Sequence, residues 1–326
     1  AVSAPQLGGI VPLLYFILRL TFLIEFLGAL LLAPSFCQKV GLLRGIYFAV
    51  FHSISSFCNA GFDLFGNSLM DFASDPIVNI TVMLLIIAGG LGFTTWADIR
   101  LNRGNFHTYT LQSKIALTMT AALILIPGLF FFFFELDPST SLSEHFLISF
   151  FQSVTTRTAG YNTIDIKDFS ETGRAALIAL MLIGGSPGST AGGIKTTTAF
   201  TLFAIMIATF RLKKDPTCFS RRLSSETQRH AVTILMMYLL LFASGSVLLN
   251  LIDGIRLIDS AFETASALGT VGLSIGVTDD LGPLSKYVMM LLMFFGRIGG
   301  LTVIFAAHAH SRQESGRSPE ERITIG

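Results

Sequence analysis

The order of apolar segments along the chain constrains the fold more than any other feature of this sequence. Six long apolar runs lie at about 9–33, 77–97, 113–134, 174–210 (interrupted), 229–252 and 284–308. A helix needs about 20 apolar residues to cross a hydrocarbon layer about 30 Å thick, so these runs have the length of membrane spans. A shorter stretch rich in Ser, Thr and Phe lies within each pair of runs, at 46–58, 142–156 and 258–270.

The short stretches predict half-length helices, because apolar membrane segments of about 10–14 residues are typically re-entrant or buried. The order of long, short and long segments occurs three times, which indicates an internal repeat. Composition agrees with a membrane protein: 52% of the 326 residues are hydrophobic and 13% are charged, against roughly 25% charged in soluble domains. We therefore predict an all-α polytopic membrane protein whose repeats each contain a first span (M1), a pore helix and a second span (M2).

Two landmarks recur at matching offsets in the three repeats. The short stretches carry Phe51-His52-Ser53, Phe151-Gln152-Ser153 and Phe262-Glu263-Thr264, and a glycine follows each phenylalanine after 10, 9 and 10 residues. A second glycine cluster follows 28, 24 and 24 residues later, at Gly89-Gly90, Gly184-Gly185 and Gly296. Unrelated helices with scattered glycines would not keep both offsets. The predicted units are repeats at 1–97, 98–210 and 211–310, and a tail at 311–326.

A short motif of a polar, a small, a glycine and a bulky apolar residue follows each pore helix. It occurs as Asn59-Ala60-Gly61-Phe62, Thr158-Ala159-Gly160-Tyr161 and Thr270-Val271-Gly272-Leu273. Irregular backbone at membrane depth is tolerated where it is buried or lines a water-filled path. Backbone carbonyls can replace the hydration shell of a cation, and glycine reaches the required angles at least cost. One such motif is also explained by a simple turn, but three in register predict a selectivity filter. We expect the bulky residue to pack outward and hold each segment in place.

Charge is distributed unequally between alternate connectors. The connectors 98–114 and 211–229 and the tail from 308 hold 12 basic against 6 acidic residues, whereas the opposite loops hold 6 basic against 13 acidic. Cytoplasmic loops carry the excess of Lys and Arg. We expect the first group, with the C-terminus, to be cytoplasmic and the acidic loops, which precede or follow the pore helices, to face outward.

The M2 segment of the middle repeat contains a run that cannot continue a helix well. Its sequence is Gly184-Gly185-Ser186-Pro187-Gly188-Ser189-Thr190-Ala191-Gly192-Gly193-Ile194-Lys195-Thr196, and five glycines with a proline disfavour helix. We expect an unwound stretch below the filter; a packing seam of small residues is the alternative. A phosphate-binding loop is rejected, because Ile194 separates the second glycine from Lys195 and no strand precedes the run.

Charged residues within the apolar segments are the other candidates for function. A charged side chain at this depth costs at least about 2.5 kcal/mol, so it normally faces a cavity or a partner. The offset of Arg297 from Gly272 places it level with the glycine-rich run, where it either projects into the pathway or pairs with Glu263 or a backbone carbonyl. Arg157 is interpreted as a structural residue behind the filter, with Glu263 as a possible counter-charge.

The residues that follow the pore helices resemble a known family. The segments from Phe51 to Phe62 and from Phe151 to Thr163 are similar to the second and third pore loops of the membrane subunits of the Trk/Ktr/HKT potassium transporter superfamily, and Ala265 to Ser274 is similar to the fourth. The ending from Pro319 to Gly326 is similar to the C-termini of Ktr-type members.

This resemblance implies four repeats in pseudo-four-fold arrangement around one pathway, of which this sequence contains three. The repeat that comes first in the family is expected upstream of a truncated sequence, so the three repeats of this sequence correspond to the family's second, third and fourth. The resemblance also implies K⁺ bound at the filter carbonyls of Asn59, Thr158 and Thr270, with Na⁺ left open as coupling or permeating ion. The glycine-rich run would act as an intramembrane gate and Arg297 as a positive barrier. A cytoplasmic nucleotide-binding regulatory ring, a homodimer and membrane lipid are the implied partners, in a cell membrane.

Other functional classes find less support in the sequence. A secondary transporter for another cation or a small solute remains the alternative, although it predicts inverted repeats. An intramembrane enzyme would need a nucleophile with a base, or a metal cluster, and neither pattern is present. The three cysteines lack metal-ligand spacing, the net charge of +1 gives no reason to expect nucleic acid, and no covalently bound cofactor is expected.

Overall fold

The structure of the chain is a computed structural model that describes residues 7–135, 141–213 and 215–300, with side chains from residue 11. Its elements are α1 (Leu7–Val40), α2 (Leu42–Phe57), α3 (Pro76–Gly90), α4 (Phe93–Asn102), α5 (Leu111–Phe134), α6 (Leu142–Thr155), α7 (Glu171–Leu182), α8 (Thr196–Phe210), β1 (Thr217–Cys218), β2 (Arg221–Arg222), α9 (Ser225–Asp253), α10 (Leu257–Gly269) and α11 (Pro283–Ile298). The predicted tail at 311–326 lies outside the described residues.

Local sequence explains where five of these helices begin. A hydroxyl or carboxylate side chain caps the first free N–H groups, which helix N-termini leave without an intrahelical partner. Pro76 also occupies the first turn of α3, where its missing N–H has no cost. The capping residues are Asp75 for α3, Thr110 for α5, Ser141 for α6, Ser170 for α7 and Ser224 for α9.

The M1 helices are the long spans of the molecule. Among the described residues, three helices are long and apolar enough to cross a membrane by themselves: Val11–Val40 within α1, Leu111–Phe134 and Ser225–Asp253. They are the M1 helices of the three repeats. The pore helices α2, α6 and α10 contain 16, 14 and 13 residues, too few to span a bilayer. The all-α membrane fold predicted from the apolar pattern is therefore confirmed.

The M2 segments are interrupted in every repeat. The chain bends by 93° between α3 and α4, so the apolar run at 77–97 does not form one straight helix as its length suggested. The middle repeat breaks between α7 and α8, as expected from its glycines. In the last repeat α11 ends at Ile298, within the apolar run. Gly92 and Gly299 have φ of 87° and 79° at the first and last of these breaks, which explains the glycine there.

The pore helices α6 and α10 each join two repeats. The pore helices pack on their own M1 helices, and α6 and α10 also contact α3 and α7, the M2 helices of the preceding repeats. The apolar cores have the same organisation, since Phe151 and Tyr161 belong to the cluster formed by α1, α2 and α3. Val271 and Leu273 belong to the cluster that contains α7 residues. Successive repeats are therefore arranged side by side around the ends of the pore helices.

Candidate ion pathway

The three segments after the pore helices, at 59–62, 158–161 and 270–273, lie next to one another; we call them the glycine segments. A Cβ atom on Gly61 would collide with the carbonyl oxygen of Ala159 and lie 3.2 Å from the Cα of Gly160. A Cβ on Gly160 would collide with the carbonyl of Val271 and lie 3.3 Å from the Cα of Gly272. The segments thus form an arc in which each glycine faces the backbone of the next.

All three glycine segments share an unusual backbone. The glycines Gly61, Gly160 and Gly272 have φ of 70°, 85° and 94°. The polar residue two positions earlier is also left-handed, with φ of 50° at Asn59, 74° at Thr158 and 53° at Thr270. Such angles are unfavourable for threonine and cluster at functional sites. The sequence indicated the glycines from their spacing, but nothing in it indicated the conformation of the polar residue.

The glycine segments turn directly off the ends of the pore helices. The N–H groups of Ala60, Ala159 and Val271 bond to the carbonyls of Ser55, Thr155 and Ser266, at 2.9, 2.9 and 2.8 Å. These three residues stand four positions after the repeated phenylalanines. Their hydroxyls also bond the glycine segments: Ser55 and Thr155 donate to the carbonyls of Phe62 and Tyr161, at 3.0 and 2.6 Å, and Ser266 accepts from the N–H of Gly272 at 3.1 Å. These hydroxyls were not predicted, although their constant spacing from the repeated phenylalanines is visible in the sequence.

The bulky residues of the glycine segments behave in two ways. Tyr161 and Leu273 are buried in the apolar clusters of the preceding repeats, as expected. Phe62 is 69% exposed, so the expectation that it packs outward to hold its segment is wrong for the described residues. Its carbonyl instead accepts a hydrogen bond from the Tyr161 hydroxyl at 3.0 Å, which ties the first two glycine segments together.

A serine two positions after the repeated phenylalanine anchors the first two pore helices to their M1 helices. The Ser53 hydroxyl donates to the carbonyl of Glu25 at 2.6 Å. The Ser153 hydroxyl is shared between the carbonyls of Leu123 and Ile124, at 3.1 and 2.8 Å. Pro127 lies four residues after Leu123 and has no N–H to donate to it. The hydroxyl therefore serves a carbonyl that α5 itself leaves free.

The glycine-rich loop, residues 184–196, closes on itself at its base. Ile183 and Ile194 form a parallel bridge, and the N–H of Gly184 donates to the carbonyl of Ile194 at 2.9 Å. The loop reaches across to the first repeat: Ser186 N–H donates to the Gly90 carbonyl at 2.9 Å, and the Thr190 hydroxyl donates to the carbonyl of Phe57 at 3.1 Å. These contacts join the loop to the end of α2 and to the bend after α3.

The same loop lies against the inner end of the glycine segments, where the pore helices end. A Cβ on Gly192 would collide with the hydroxyl of Thr270, and a Cβ on Gly184 would lie 3.2 Å from the Cγ2 of Thr158. The small residues of the loop are therefore needed for this close approach. A seam of small residues does form, and it lies directly beneath the residues that begin the glycine segments.

Arg297 contacts the glycine-rich loop. Its Nη1 donates to the carbonyl of Thr190 at 2.6 Å, which is the backbone-carbonyl alternative considered for this side chain. Gly296 packs so closely on the end of α10 that a Cβ would collide with the carbonyl of Leu268. Within the loop, the Lys195 ammonium donates to the carbonyl of Ala191 at 2.5 Å. Both cations thus bond to main-chain carbonyls of the loop.

The counter-charge suggested for Arg157 and Arg297 is not found among the described residues. Glu263 accepts hydrogen bonds from Ser274, Ile275 and Thr278, and it forms no ion pair with Arg157 or Arg297 in the described part of the chain. Arg157 is 4% exposed and its Nη2 donates to the hydroxyl of Thr120 at 3.2 Å. The side chain thus lies behind the glycine segment, as interpreted from the sequence.

A cleft opens on one side of the arc. Its volume is 580 Å³, and Ala60, Thr270, Gly272, Glu263 and Arg297 are among its lining residues. A Cβ on Gly272 would lie 3.8 Å from the Cα of Gly160, and beyond its chain neighbours it would meet no other heavy atom of the described residues within 4 Å. The arc therefore contains three backbones and is open between the first and the third.

Comparison with known proteins agrees with this geometry. The family model for TrkH, a cation transport protein, matches residues 5–317. The potassium/sodium uptake protein NtpJ of Enterococcus hirae is 38% identical, over the whole chain and 74% of NtpJ. The Ktr system potassium uptake protein B of Bacillus subtilis is 34% identical with the same coverage.

The fold also matches a solved structure. The crystal structure of the potassium transporter TrkH from Vibrio parahaemolyticus superimposes with a TM-score of 0.73 at 20% identity, over 93% of this chain and 65% of that one. The chain therefore spans about two thirds to three quarters of the length of these proteins. The family match and the identity to NtpJ together show that this chain belongs to the TrkH family of membrane cation transport proteins.

Proposed function

We propose that the chain forms the ion-translocating part of a potassium uptake subunit in a cell membrane. One observation carries the proposal: the three glycine segments lie side by side, with left-handed backbone at matching positions. Main-chain oxygens gathered in this way can replace the water shell of a cation without using side-chain charge. The relatives named for potassium or potassium/sodium uptake support K⁺ as the substrate.

The proposed K⁺ ligands are the carbonyls of Asn59, Thr158 and Thr270 and of the residues that follow them in each segment. The pore helices end immediately before these residues. Helix C-termini carry partial negative charge, which favours a cation at this point. Na⁺ as a coupling or permeating ion is part of the same proposal, because NtpJ is named for both ions.

The glycine-rich loop and Arg297 form the proposed gate. The loop lies under the inner end of the glycine segments, and its bonds to Phe57, Gly89 and Gly90 hold it across the path. Arg297 adds a positive charge that opposes a descending cation. Opening would require the loop to leave the glycine segments and the guanidinium to move with it or to lose its carbonyl partner.

One more repeat, upstream of the three repeats of this sequence, is proposed to close the cleft. Tyr161 and Leu273 each pack on the preceding repeat, whereas Phe62 is exposed. A hairpin of the same kind beside Phe62 would bury it and add a fourth backbone between Ala60 and Gly272. The upstream sequence tests this: we expect another Phe/Ser/Thr-rich half-helix that ends in a small residue, Gly and a bulky residue, about 100 residues before Gly61.

The proposed partners are a cytoplasmic nucleotide-binding ring and a second copy of the subunit. The basic connectors at 98–114 and 211–229 and the tail at 311–326 are the proposed contact surfaces, on the cytoplasmic side that their charge favours. Deletion of residues 311–326 from the full-length protein is expected to weaken ring binding or dimerisation in co-purification. Unchanged assembly would contradict this assignment.

The proposed activity is tested by growth of potassium-uptake-deficient cells on limiting potassium. The full-length protein is expected to restore growth, and the Gly160→Asp variant to fail at equal membrane abundance. Equal rescue by both proteins would show that the glycine segments do not form the transport path. A secondary transporter for a small solute would instead give no potassium-dependent rescue.

A further inference from the structure

The residue after the repeated phenylalanine occupies one equivalent position on each pore helix. These residues are His52, Gln152 and Glu263, which are 0%, 0% and 2% exposed. Polar side chains buried to this degree normally have hydrogen-bond partners. None of these three side chains belongs to the proposed filter or gate.

Glu263 bonds to the chain just beyond the third glycine segment. Its Oε1 accepts from the N–H of Ile275 at 3.0 Å and from the Ser274 hydroxyl at 2.7 Å, and its Oε2 accepts from the Thr278 hydroxyl at 2.7 Å. Ile275 lies three residues after Gly272. One carboxylate therefore ties the pore helix to the outer end of the glycine segment through three donors.

His52 makes the same connection in the first repeat. Its Nδ1 lies 2.8 Å from the carbonyl of Phe48, and its Nε2 accepts from the N–H of Leu64 at 3.4 Å. The carbonyl requires a proton on Nδ1, which leaves Nε2 as the acceptor of the neutral ring. Leu64 lies three residues after Gly61, so its relation to His52 matches that of Ile275 to Glu263.

Gln152 departs from this pattern. The equivalent residue three positions after Gly160 is Thr163. Within the described residues, neither amide atom of Gln152 has a hydrogen-bond partner, and the Thr163 hydroxyl has none either. The middle repeat therefore has the buried polar residue without the bond, which makes it a natural comparison for the other two.

We propose that Glu263 and His52 are positioning residues that set ion selectivity by fixing the outer ends of their glycine segments, and that Gln152 does not act in this way. The inference rests on the proposed filter function. The physical reason is that the N–H groups of Ile275 and Leu64 would lose their acceptor if these side chains were removed, and a buried unpaired N–H is unfavourable. The segment would then shift to find another partner, and its carbonyls would move with it.

The experiment measures Rb⁺ and Na⁺ uptake by the full-length protein reconstituted in liposomes, normalised to the amount of protein. Glu263→Met removes the acceptors at similar volume, and Glu263→Gln retains a carbonyl acceptor. His52→Leu removes the weaker bond. Gln152→Met is the matched control, because it changes the equivalent buried position where no bond is lost.

The ratio of Rb⁺ to Na⁺ uptake is the decisive measurement, since a residue needed only for folding would change the amount of active protein and leave this ratio constant. We expect Glu263→Met to lower the ratio about tenfold or more, the change that 1.4 kcal/mol produces. His52→Leu should lower it less, while Glu263→Gln and Gln152→Met should stay near the wild-type ratio. An unchanged ratio in Glu263→Met, or an equal loss in Gln152→Met, would overturn the proposal.

Two further comparisons keep the outcome interpretable. If Glu263→Met cannot be purified for reconstitution, the comparison of His52→Leu with Gln152→Met carries the test, and equal ratios in these two variants would overturn the proposal. Gly160→Ala separates this inference from the function on which it rests. If Gly160→Ala loses transport while Glu263→Met and His52→Leu keep the wild-type ratio, only the positioning role fails. If Gly160→Ala also transports like the wild type, the filter itself is wrong.

Discussion

The guanidinium of Arg297 donates a 2.6 Å hydrogen bond to the carbonyl of Thr190, which joins the last M2 helix to the glycine-rich loop of the middle repeat. The N–H of Thr190 bonds to the carbonyl of Gly89 at 3.3 Å, and its hydroxyl bonds to the carbonyl of Phe57. One loop residue thus connects all three repeats beneath the glycine segments. Displacement of the loop at Thr190 must therefore break the arginine bond or carry the positive charge with it.

Replacing Arg297 with alanine is expected to increase Rb⁺ uptake in the resting state. Two unit charges 4 Å apart interact by about 1 kcal/mol in water and about 4 kcal/mol at an effective dielectric constant of 20. If removal of the Arg297 charge lowers the energy barrier for the ion by about 1 kcal/mol, uptake rises about fivefold. Arg256→Ala is the control, because Arg256 pairs with Glu171 on the exposed surface. Unchanged or slower uptake at equal abundance would contradict a barrier role.

Gly160→Ala is expected to reduce transport far more than Gly254→Ala. Both glycines have positive φ, 85° and 66°, so both variants carry a backbone cost of about 1–2 kcal/mol. A Cβ on Gly160 also collides with the carbonyl of Val271, whereas a Cβ on Gly254 meets nothing within 4 Å. Rb⁺ uptake should fall more than about tenfold only in Gly160→Ala. Equal loss in both would assign the effect to backbone strain.

Gly89→Ala and Gly90→Ala form a second matched pair. A Cβ on Gly89 would collide with the carbonyl of Phe57 at the end of α2, whereas a Cβ on Gly90 would lie 3.6 Å from the side chain of Asn59, an ordinary contact. Overpacking of this kind typically costs about 1–3 kcal/mol. Thermal unfolding in detergent should show a lower Tm for Gly89→Ala and little change for Gly90→Ala. The reverse order would refute the close approach.

Ser153→Ala is expected to destabilise the protein by about 1 kcal/mol or more, because the carbonyl of Leu123 loses its hydrogen-bond donor. Pro127→Ala restores an N–H that can donate to this carbonyl from within α5. In the Pro127→Ala background the serine substitution should therefore lower the Tm less. The double-mutant cycle gives the coupling between the two positions. Additive shifts in Tm would show that the hydroxyl does not replace the missing backbone donor.

Several features of the fold and the site were predictable from local sequence. Apolar run length predicted the M1 helices α1, α5 and α9, because a helix needs about 20 apolar residues to cross the hydrocarbon core of a bilayer. Constant offsets predicted that Gly61, Gly160 and Gly272 occupy equivalent positions, and the structure places them side by side. The proline and glycines between α7 and α8 predicted the break in the middle M2 segment.

Other features depended on contacts between distant residues. The chain bends after α3, at Gly89-Gly90-Leu91-Gly92. The apolar run at 77–97 is nevertheless long enough for one continuous span, so its length alone did not predict the bend. Phe62 occupies the same motif position as Tyr161 and Leu273, but its exposure depends on which repeat lies beside it. The sequence allows either Glu263 or a carbonyl as the partner of Arg297, since it does not give the distance between α11 and the glycine-rich loop.

The sequence by itself determined the membrane class, the three repeats and the positions of their glycines, because chain length, apolarity and backbone freedom are properties of each segment alone. The tertiary structure decided which backbone each glycine faces, and that Arg297 donates a hydrogen bond to the carbonyl of Thr190 rather than pairing with Glu263. It also decided that Glu263 and His52 bond to the chain beyond their glycine segments, whereas Gln152 does not. The first two choices depend on distances of a few ångströms between residues about 100 positions apart, and the third depends on bonds between residues 12 positions apart. Hydrogen-bond strength falls steeply over such distances, so only the packed arrangement fixes the partners.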